Sequence, residues 1–186
     1  MNCDSARCSD GELAALSLAG RREAFAEIMR RHEEPIYRMV MAYVGRREDA
    51  LDLVQECFIA AFRALGRYDQ ARPLRAWLSR IAINKCRDWA RRRAVRRVLF
   101  PVSFDQSGLD VVDTSPSSEV EAAGRQELEL VRAAIAGLPR NLKEPLVLHA
   151  VEGLSQAETA AVLNISEKAV ETRIYRARKR LDGLRH

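Results

Sequence analysis

The sequence predicts an all-α protein built as two small helical domains joined by a flexible linker. Three observations predict it. Apolar residues recur at helical spacing through most of the chain, and strand-like alternation is nearly absent. A polar stretch from Pro101 to Ser118, PVSFDQSGLDVVDTSPSS, interrupts that periodicity and favours neither helix nor strand. The chain has 186 residues, which suits one domain or two small ones. The expected boundaries are 1–97, a linker over 98–118, and 119–186.

The elements follow in order. Ser9 and Glu12 have the spacing of a capping box and open a short helix through about Ala19. A second helix runs from Arg22 to about Val44, with Phe25, Ile28, Met29, Ile36, Val40 and Tyr43 near one face. Pro35 is expected to kink or interrupt it, and Gly45 to stop it. A third, from about Glu48 to Leu65, places Leu51, Val54, Phe58, Ala61 and Phe62 on its apolar side. Gly66 to Pro73 reads as a loop. Pro73 suits a first helical turn and opens a fourth helix to about Arg97. Beyond the linker, helices are expected over about Glu119–Ala136, Arg140–Val151, Ser155–Leu163 and Glu167–Leu184.

Charge is distributed unevenly. The net charge of +5 says little, but Arg72 to Arg97 holds ten Arg/Lys against Asp88 alone. Pro101 to Glu121 holds five acids and no base, and Glu167 to Arg185 holds seven Arg/Lys against three acids. Local cationic surfaces of this kind attract phosphate. No apolar run is long enough for a membrane span and the N-terminus lacks a signal core, so a cytosolic protein is expected.

Four cysteines fit a reducing compartment. Cys57 and Cys86 read as small core residues. Cys3 and Cys8 lie in a polar tail, where two thiols are too few for a closed zinc site and read as incidental. His32, or Cys57 and Cys86, would have to complete such a site. No glycine-rich nucleotide loop and no nucleophile constellation is present, so neither catalytic residues nor a cofactor is expected.

The segment from Leu154, LSQAETAAVLNISEKAVETRIYRARKRL, has the form of a helix-turn-helix. Ser155 and Glu158 form a capping box, Ala157, Ala160 and Ala161 keep the first helix slim, Asn164 tolerates the reversal, and Ser166 caps the second helix. Ala169, Val170, Ile174, Ala177 and Leu181 form the inward stripe. Lys168, Glu171, Thr172, Arg173, Tyr175, Arg176, Arg178 and Lys179 lie outward or on its flanks. Residues near the start of such a helix reach base edges in the major groove, and cations further along hold phosphates. A charge run alone is usually a solvated face; the caps, turn and slim first helix favour DNA binding.

The fourth helix mixes Arg72, Arg75, Arg80, Lys85, Arg87, Arg91, Arg92 and Arg93 with Trp77, Asn84 and Trp89. Aromatic and amide groups on a basic surface suit unpaired bases. Core packing is an equal reading for each tryptophan, and Trp77, one turn from Ile81, leans to the core. On the third helix, Asp52, Gln55 and Glu56 remain outside the apolar side as an acidic and amide patch. A solvated face is the default for it, and a docking surface for a basic partner is the sharper alternative.

Together, DALDLVQECFIAAF, RAWLSRIAINKCRDWARRR, the acidic linker and LPRNLKEPLVLHAVEGLSQAETAAVLNISEKAVETRIYRARKRL resemble the bacterial extracytoplasmic-function sigma factors, group IV of the sigma-70 family. The resemblance covers nearly the whole chain, except the extreme N-terminus and the linker. It implies a region 2-like bundle and a region 4-like helix-turn-helix, with no enzymatic activity, since the polymerase supplies the chemistry. Asp52, Gln55 and Glu56 match the segment that docks on the clamp helices of the largest polymerase subunit; the flap is a second implied contact.

Asn84 and its neighbours match the segment that holds the unpaired minus-ten strand, and the loop Tyr68 to Pro73 matches a pocket for a flipped base. The implied minus-ten set is Tyr68, Arg72, Arg75, Trp77, Arg80, Asn84, Lys85, Arg87, Asp88 and Arg91. Glu171, Thr172, Arg173, Tyr175, Arg176 and Arg178 match the helix that enters the minus-35 major groove, with Lys168 and Lys179 beside them. Glu171 stands where many relatives carry a basic or small polar residue, so the base read there is left open. The linker matches a connector that threads toward the polymerase active-site channel.

Promoter DNA, core polymerase and an anti-sigma factor are the implied partners. The last is often membrane-bound, which would hold an otherwise cytoplasmic protein at the membrane. Two other readings remain open on the residues alone: a free-standing regulator using only the helix-turn-helix, and a metal- or redox-sensing module.

Overall fold

The structure is a computed structural model that describes residues 7–99 and 119–183, with side chains described from 128 onward in the second stretch. Its described residues form helices and contain no strand. The linker expected over 98–118 lies almost wholly outside them, as does Cys3.

Helix α1 (Asp10–Leu18) opens on the expected capping box: the Ser9 hydroxyl accepts from the Glu12 N–H, and the Glu12 carboxylate accepts from the Ser9 N–H at 2.7 Å. Those Ser9 donors hold the Glu12 carboxyl below the usual carboxylate range. Helix α2 (Arg22–Val44) is continuous through Pro35, so the expected interruption does not occur. Burial of Ile28, His32, Ile36, Met39 and Val40 on both sides of the proline keeps one helical segment. The helix ends at Gly45, whose φ of 75° is the left-handed conformation that glycine adopts without a Cβ penalty.

Helix α3 (Arg47–Ala64) is followed by a 3-10 turn over Leu65–Arg67. Its buried side is Ala50, Leu53, Val54, Cys57, Phe58 and Ala61. Leu51 and Phe62, expected inside, are 46% and 56% exposed. The packed stripe is rotated because Leu53 and Cys57 fill the seam against α2 and α4 better. Phe62 retains one aromatic partner, Phe25, edge-on at 5.0 Å. Helix α4 (Leu74–Leu99) buries Leu74, Leu78, Ser79, Ala82, Ile83 and Cys86. The four helices pack as one bundle, with α2 central.

Beyond α5 (Glu119–Ala136), α6 (Arg140–Leu146) carries Pro145 internally and runs into a π-helical turn over Val147–Val151. This departs from the single α-helix to Val151 that the periodicity predicts. Pro145 has no N–H to offer the ladder, and just beyond it the turn widens, the Glu152 N–H donating to the Val147 carbonyl at 3.0 Å. Helices α7 (Gln156–Leu163) and α8 (Glu167–Asp182) complete the fold.

The expected tail character of Cys8 is corrected. It is 4% exposed, and its carbonyl accepts from Arg31. Next to it, Asp10 accepts from Arg31 at 3.2 Å and pairs with His32 at 2.8 Å, which fastens α1 to α2. Cys57 and Cys86 are fully buried thiols; burial pushes Cys57 up to about 12 and raises Cys86 as well, so neither is a ready thiolate. The described residues contain no group of three metal-ligating side chains, and no helix among them is long and apolar enough to cross a membrane.

Candidate nucleic-acid interface

The helix-turn-helix is built as its sequence expects. Ser155 accepts from the Glu158 N–H at 3.1 Å, and Glu158 accepts from the Ser155 N–H at 2.8 Å. That pairing holds the Glu158 carboxyl below its usual range. Asn164 takes φ 55° and ψ 51°, the left-handed turn residue. The Ser166 hydroxyl then accepts from the Ala169 N–H at 3.2 Å and starts α8. Val170, Ile174 and Ala177 are buried; Ala169 and Leu181 are partly so.

The outward face of α8 is open. Lys168 pairs with Glu171 at 2.8 Å, and the Thr172 hydroxyl donates to the Lys168 carbonyl. Tyr175 is 66% exposed. Arg173, Arg176, Arg178 and Lys179 have no ion-pair or hydrogen-bond partner among the described residues, and all but Arg173 are exposed. Among those residues, nothing competes with phosphate for these cations.

On helix α4 most of the cations are engaged. Arg87 grips Glu144 with two parallel bonds, Nε to Oε1 at 2.8 Å and Nη2 to Oε2 at 2.7 Å. The Glu144 side chain is only 6% exposed, and its acceptance keeps the Arg87 guanidinium above its ordinary range. Arg75 donates to Glu152 at 2.9 Å, where the Glu152 side chain is fully buried. Arg80 donates to the Ala161 carbonyl. All three acceptors belong to the C-terminal half.

Four other cations turn to α3 or to α4 itself: Lys85 to Glu56 at 3.1 Å, Arg92 to Glu56 at 3.8 Å, Arg93 to Asp49 at 3.8 Å, and Arg91 to Asp88; Arg96 and Arg97, in its last turn, are exposed and have no partner among the described residues. Asn84 is exposed, and its side-chain oxygen accepts from Arg87 at 3.3 Å. Of the expected docking residues, Asp52 and Gln55 are exposed, whereas Glu56 is half-buried by its two α4 partners.

The loop before α4 is internally ordered. Asp69 accepts from the Ala71 N–H at 3.0 Å, and the Tyr68 hydroxyl donates to the Arg72 carbonyl at 2.6 Å. The Tyr68 ring lies 5.3 Å from Trp77, so Trp77 is a half-buried support for the loop, consistent with its leaning toward the core. Trp89 is half-buried with Arg93 5.5 Å above its ring.

Two close approaches tie the halves together. A Cβ at Gly153, which has φ 76°, would lie 3.0 Å from the Arg75 guanidinium. A Cβ at Gly45 would lie 2.9 Å from Ala136. Tyr43, in the same seam, has Lys143 4.8 Å above its ring, and Lys143 donates to the carbonyls of Tyr43 and Ala136. Burial raises the Tyr43 hydroxyl and lowers the Lys143 ammonium.

Sequence reading missed Glu144, Glu152 and Lys143, and gave Tyr43 only a place on an apolar face. The only available signal was a lone carboxylate inside each of two apolar runs, KEPLVL and AVEGL. An acid at such a position asks for a buried cation, but spacing along the chain does not say which.

Two family models match the chain. The sigma-70 region 2 model covers residues 28–96, and a sigma-70 region 4 model covers 128–181. The chain is 39% identical to the RNA polymerase sigma factor CnrH of Cupriavidus metallidurans, over 95% of this chain and 94% of that protein. It is 34% identical to the ECF RNA polymerase sigma factor SigM of Mycobacterium tuberculosis, over 95% of this chain and 84% of that one. The chain belongs to the extracytoplasmic-function sigma factors of the sigma-70 family. The solved structure of CnrH in complex with the cytosolic domain of CnrY matches with a TM-score of 0.70 at 35% identity, covering 94% of this chain and 96% of that one. As a sigma factor, the protein directs RNA polymerase in transcription initiation.

Proposed function

We propose that this sigma factor divides promoter recognition between its two cationic helices and supplies no catalytic group of its own. The observation that carries the reading is α8: a capped helix following a left-handed Asn164, with its cations open to solvent. Its outward side chains Glu171, Thr172, Arg173, Tyr175, Arg176 and Arg178 enter the major groove of the minus-35 element, flanked by Lys168 and Lys179. Helix α4 and the Tyr68–Pro73 loop hold the unpaired minus-ten strand. Base stacking there is worth ~1–3 kcal/mol per base, enough to offset an unstacking cost of a few kcal/mol. Asp52 and Gln55, with Glu56, dock on the clamp helices of the polymerase.

The polymerase contributes the chemistry, and an anti-sigma protein is the expected regulator. Support for that partner comes from CnrH, which was solved bound to the cytosolic domain of CnrY. Run-off transcription on a promoter library, with and without this protein added to core polymerase, tests the reading. New start sites confined to one promoter class are expected, and identical transcripts in both reactions would refute it. Asp52→Ala with Gln55→Ala tests docking without disturbing α4, because neither side chain pairs with an α4 cation, unlike Glu56. Loss of core pull-down with unchanged duplex binding is expected.

A further inference from the structure

We propose that Glu144 and Glu152 form a built-in latch that occupies the minus-ten face of α4 in the free protein, so that the C-terminal half competes with the opened promoter strand for the same three arginines. The proposal rests on the reading of α4 as the single-strand surface and adds its regulation.

The geometry has the form of a phosphate mimic. Glu144 presents both carboxylate oxygens to the Arg87 fork, the bidentate arrangement that a phosphate would also use. Immediately after the π-helical turn, Glu152 takes Arg75, and the Ala161 carbonyl takes Arg80. Arg75, Arg80 and Arg87 span about three turns of α4, and all three reach the C-terminal half. A strand threaded along those turns would have to displace all three acceptors.

The seam is charge-rich and incompletely satisfied. Arg75 remains 43% exposed, and the second Glu152 oxygen, although buried, has no hydrogen-bond partner among the described residues. Gly153 adopts φ 76° directly under the Arg75 guanidinium, where any side chain would press on it. An incompletely satisfied, charge-rich seam can open when a better-charged ligand arrives. By contrast, the α2–α3–α4 seam is closed by Leu53, Leu78, Ile83 and Cys86, all nearly or fully buried.

A closed fraction lowers apparent affinity in proportion to the open fraction that remains. If about nine molecules in ten are latched, release tightens binding about tenfold. The full chain without polymerase provides the test, with fluorescein-labelled single-stranded DNA of random sequence, about 15 nucleotides long, as the probe. Arg176 and Arg178 are replaced by Ala in every sample, so that α8 contributes little. Adding Glu144→Gln with Glu152→Gln should tighten binding about tenfold and raise the radius of gyration by small-angle scattering. Unchanged affinity and radius, with helical circular dichroism intact, would overturn the latch.

Should that double variant lose helix content, a charge swap decides. Arg87→Glu should expand the chain, and Arg87→Glu combined with Glu144→Arg should restore the compact radius. If the swap remains as expanded as the single variant, the latch is wrong. Run-off transcription with core enzyme reads the functional assignment separately: promoter-specific initiation without any latch signature keeps the function and removes the latch, and the converse removes the function alone.

Discussion

Helices α4 and α8 are both long and rich in arginine, yet their cations lead different lives. On α8, Arg173, Arg176, Arg178 and Lys179 have no partner among the described residues. On α4, Arg75, Arg80 and Arg87 are taken by the C-terminal half, and Lys85, Arg92 and Arg93 by α3. Charge composition therefore marks where phosphate could bind and does not say whether the site is vacant. The arginines of one helix stand open in the free protein. Most of the other's are held in internal contacts.

The sharpest way to break this comparison is to remove the scaffold under α4. Leu78 is fully buried between α4 and its neighbours, and Leu78→Ala should cost about 2–5 kcal/mol in urea melts. Leu181, only partly buried on α8, should cost less on the same substitution. Equal losses would mean that α4 is no more deeply anchored than α8.

Next in size is the salt response. Arg176→Ala with Arg178→Ala should weaken duplex binding and reduce the slope of log affinity against log salt by about 2, near 0.9 for each phosphate that is no longer neutralised. In the full chain without polymerase, Arg75→Ala with Arg87→Ala should leave that duplex slope unchanged, because those cations are already paired. Fluorescence anisotropy over a salt series checks both.

Local signals in the helix-turn-helix give smaller effects. Ser155→Ala removes a cap and should cost about 1 kcal/mol. The capping carboxylate adds a pH signature. Glu158 is held below its usual range in the folded protein, so its stabilisation is fully present above the unfolded carboxylate pKa and is lost as pH falls through the depressed folded value. Melts of Glu158→Gln should lack this acid-side component. Asn164→Ala, which forces a Cβ-bearing residue without a local amide into the left-handed region, should cost about 1 kcal/mol, and Asn164→Gly should cost only about a few tenths. Smallest of all, Arg38→Ala removes an exposed pair with Glu34 at 3.6 Å and should change stability by less than about 0.5 kcal/mol.

Legibility followed the range of the interaction. The two capping boxes at Ser9 and Ser155, the stop at Gly45 and the reversal at Asn164 were readable because each depends on residues close together in the chain. The buried thiols of Cys57 and Cys86 were readable from helical periodicity. Errors arose where a neighbour in space decided. Leu51 and Phe62 satisfy the period of α3 as well as Leu53 does, and only the position of α2 and α4 chooses between the stripes. Pro35 failed to break α2 because packing on both of its sides outweighs one lost hydrogen bond. Cys8 belongs to the α1–α2 contact through Arg31, a residue 23 positions away.

The candidate site divides along the same line. Arginine spacing, helix caps and the order of the two regions are local properties, and they were enough to place the family, the helix-turn-helix and the two cationic helices. Which arginines are engaged is not local. Arg87 and Glu144 are 57 residues apart, and Arg75 and Glu152 are 77. An ion pair across such a distance exists only once two segments have been brought together by burial elsewhere, so folding alone decided that Arg75 and Arg87 of α4 are occupied while Arg173, Arg176 and Arg178 of α8 have no partner among the described residues.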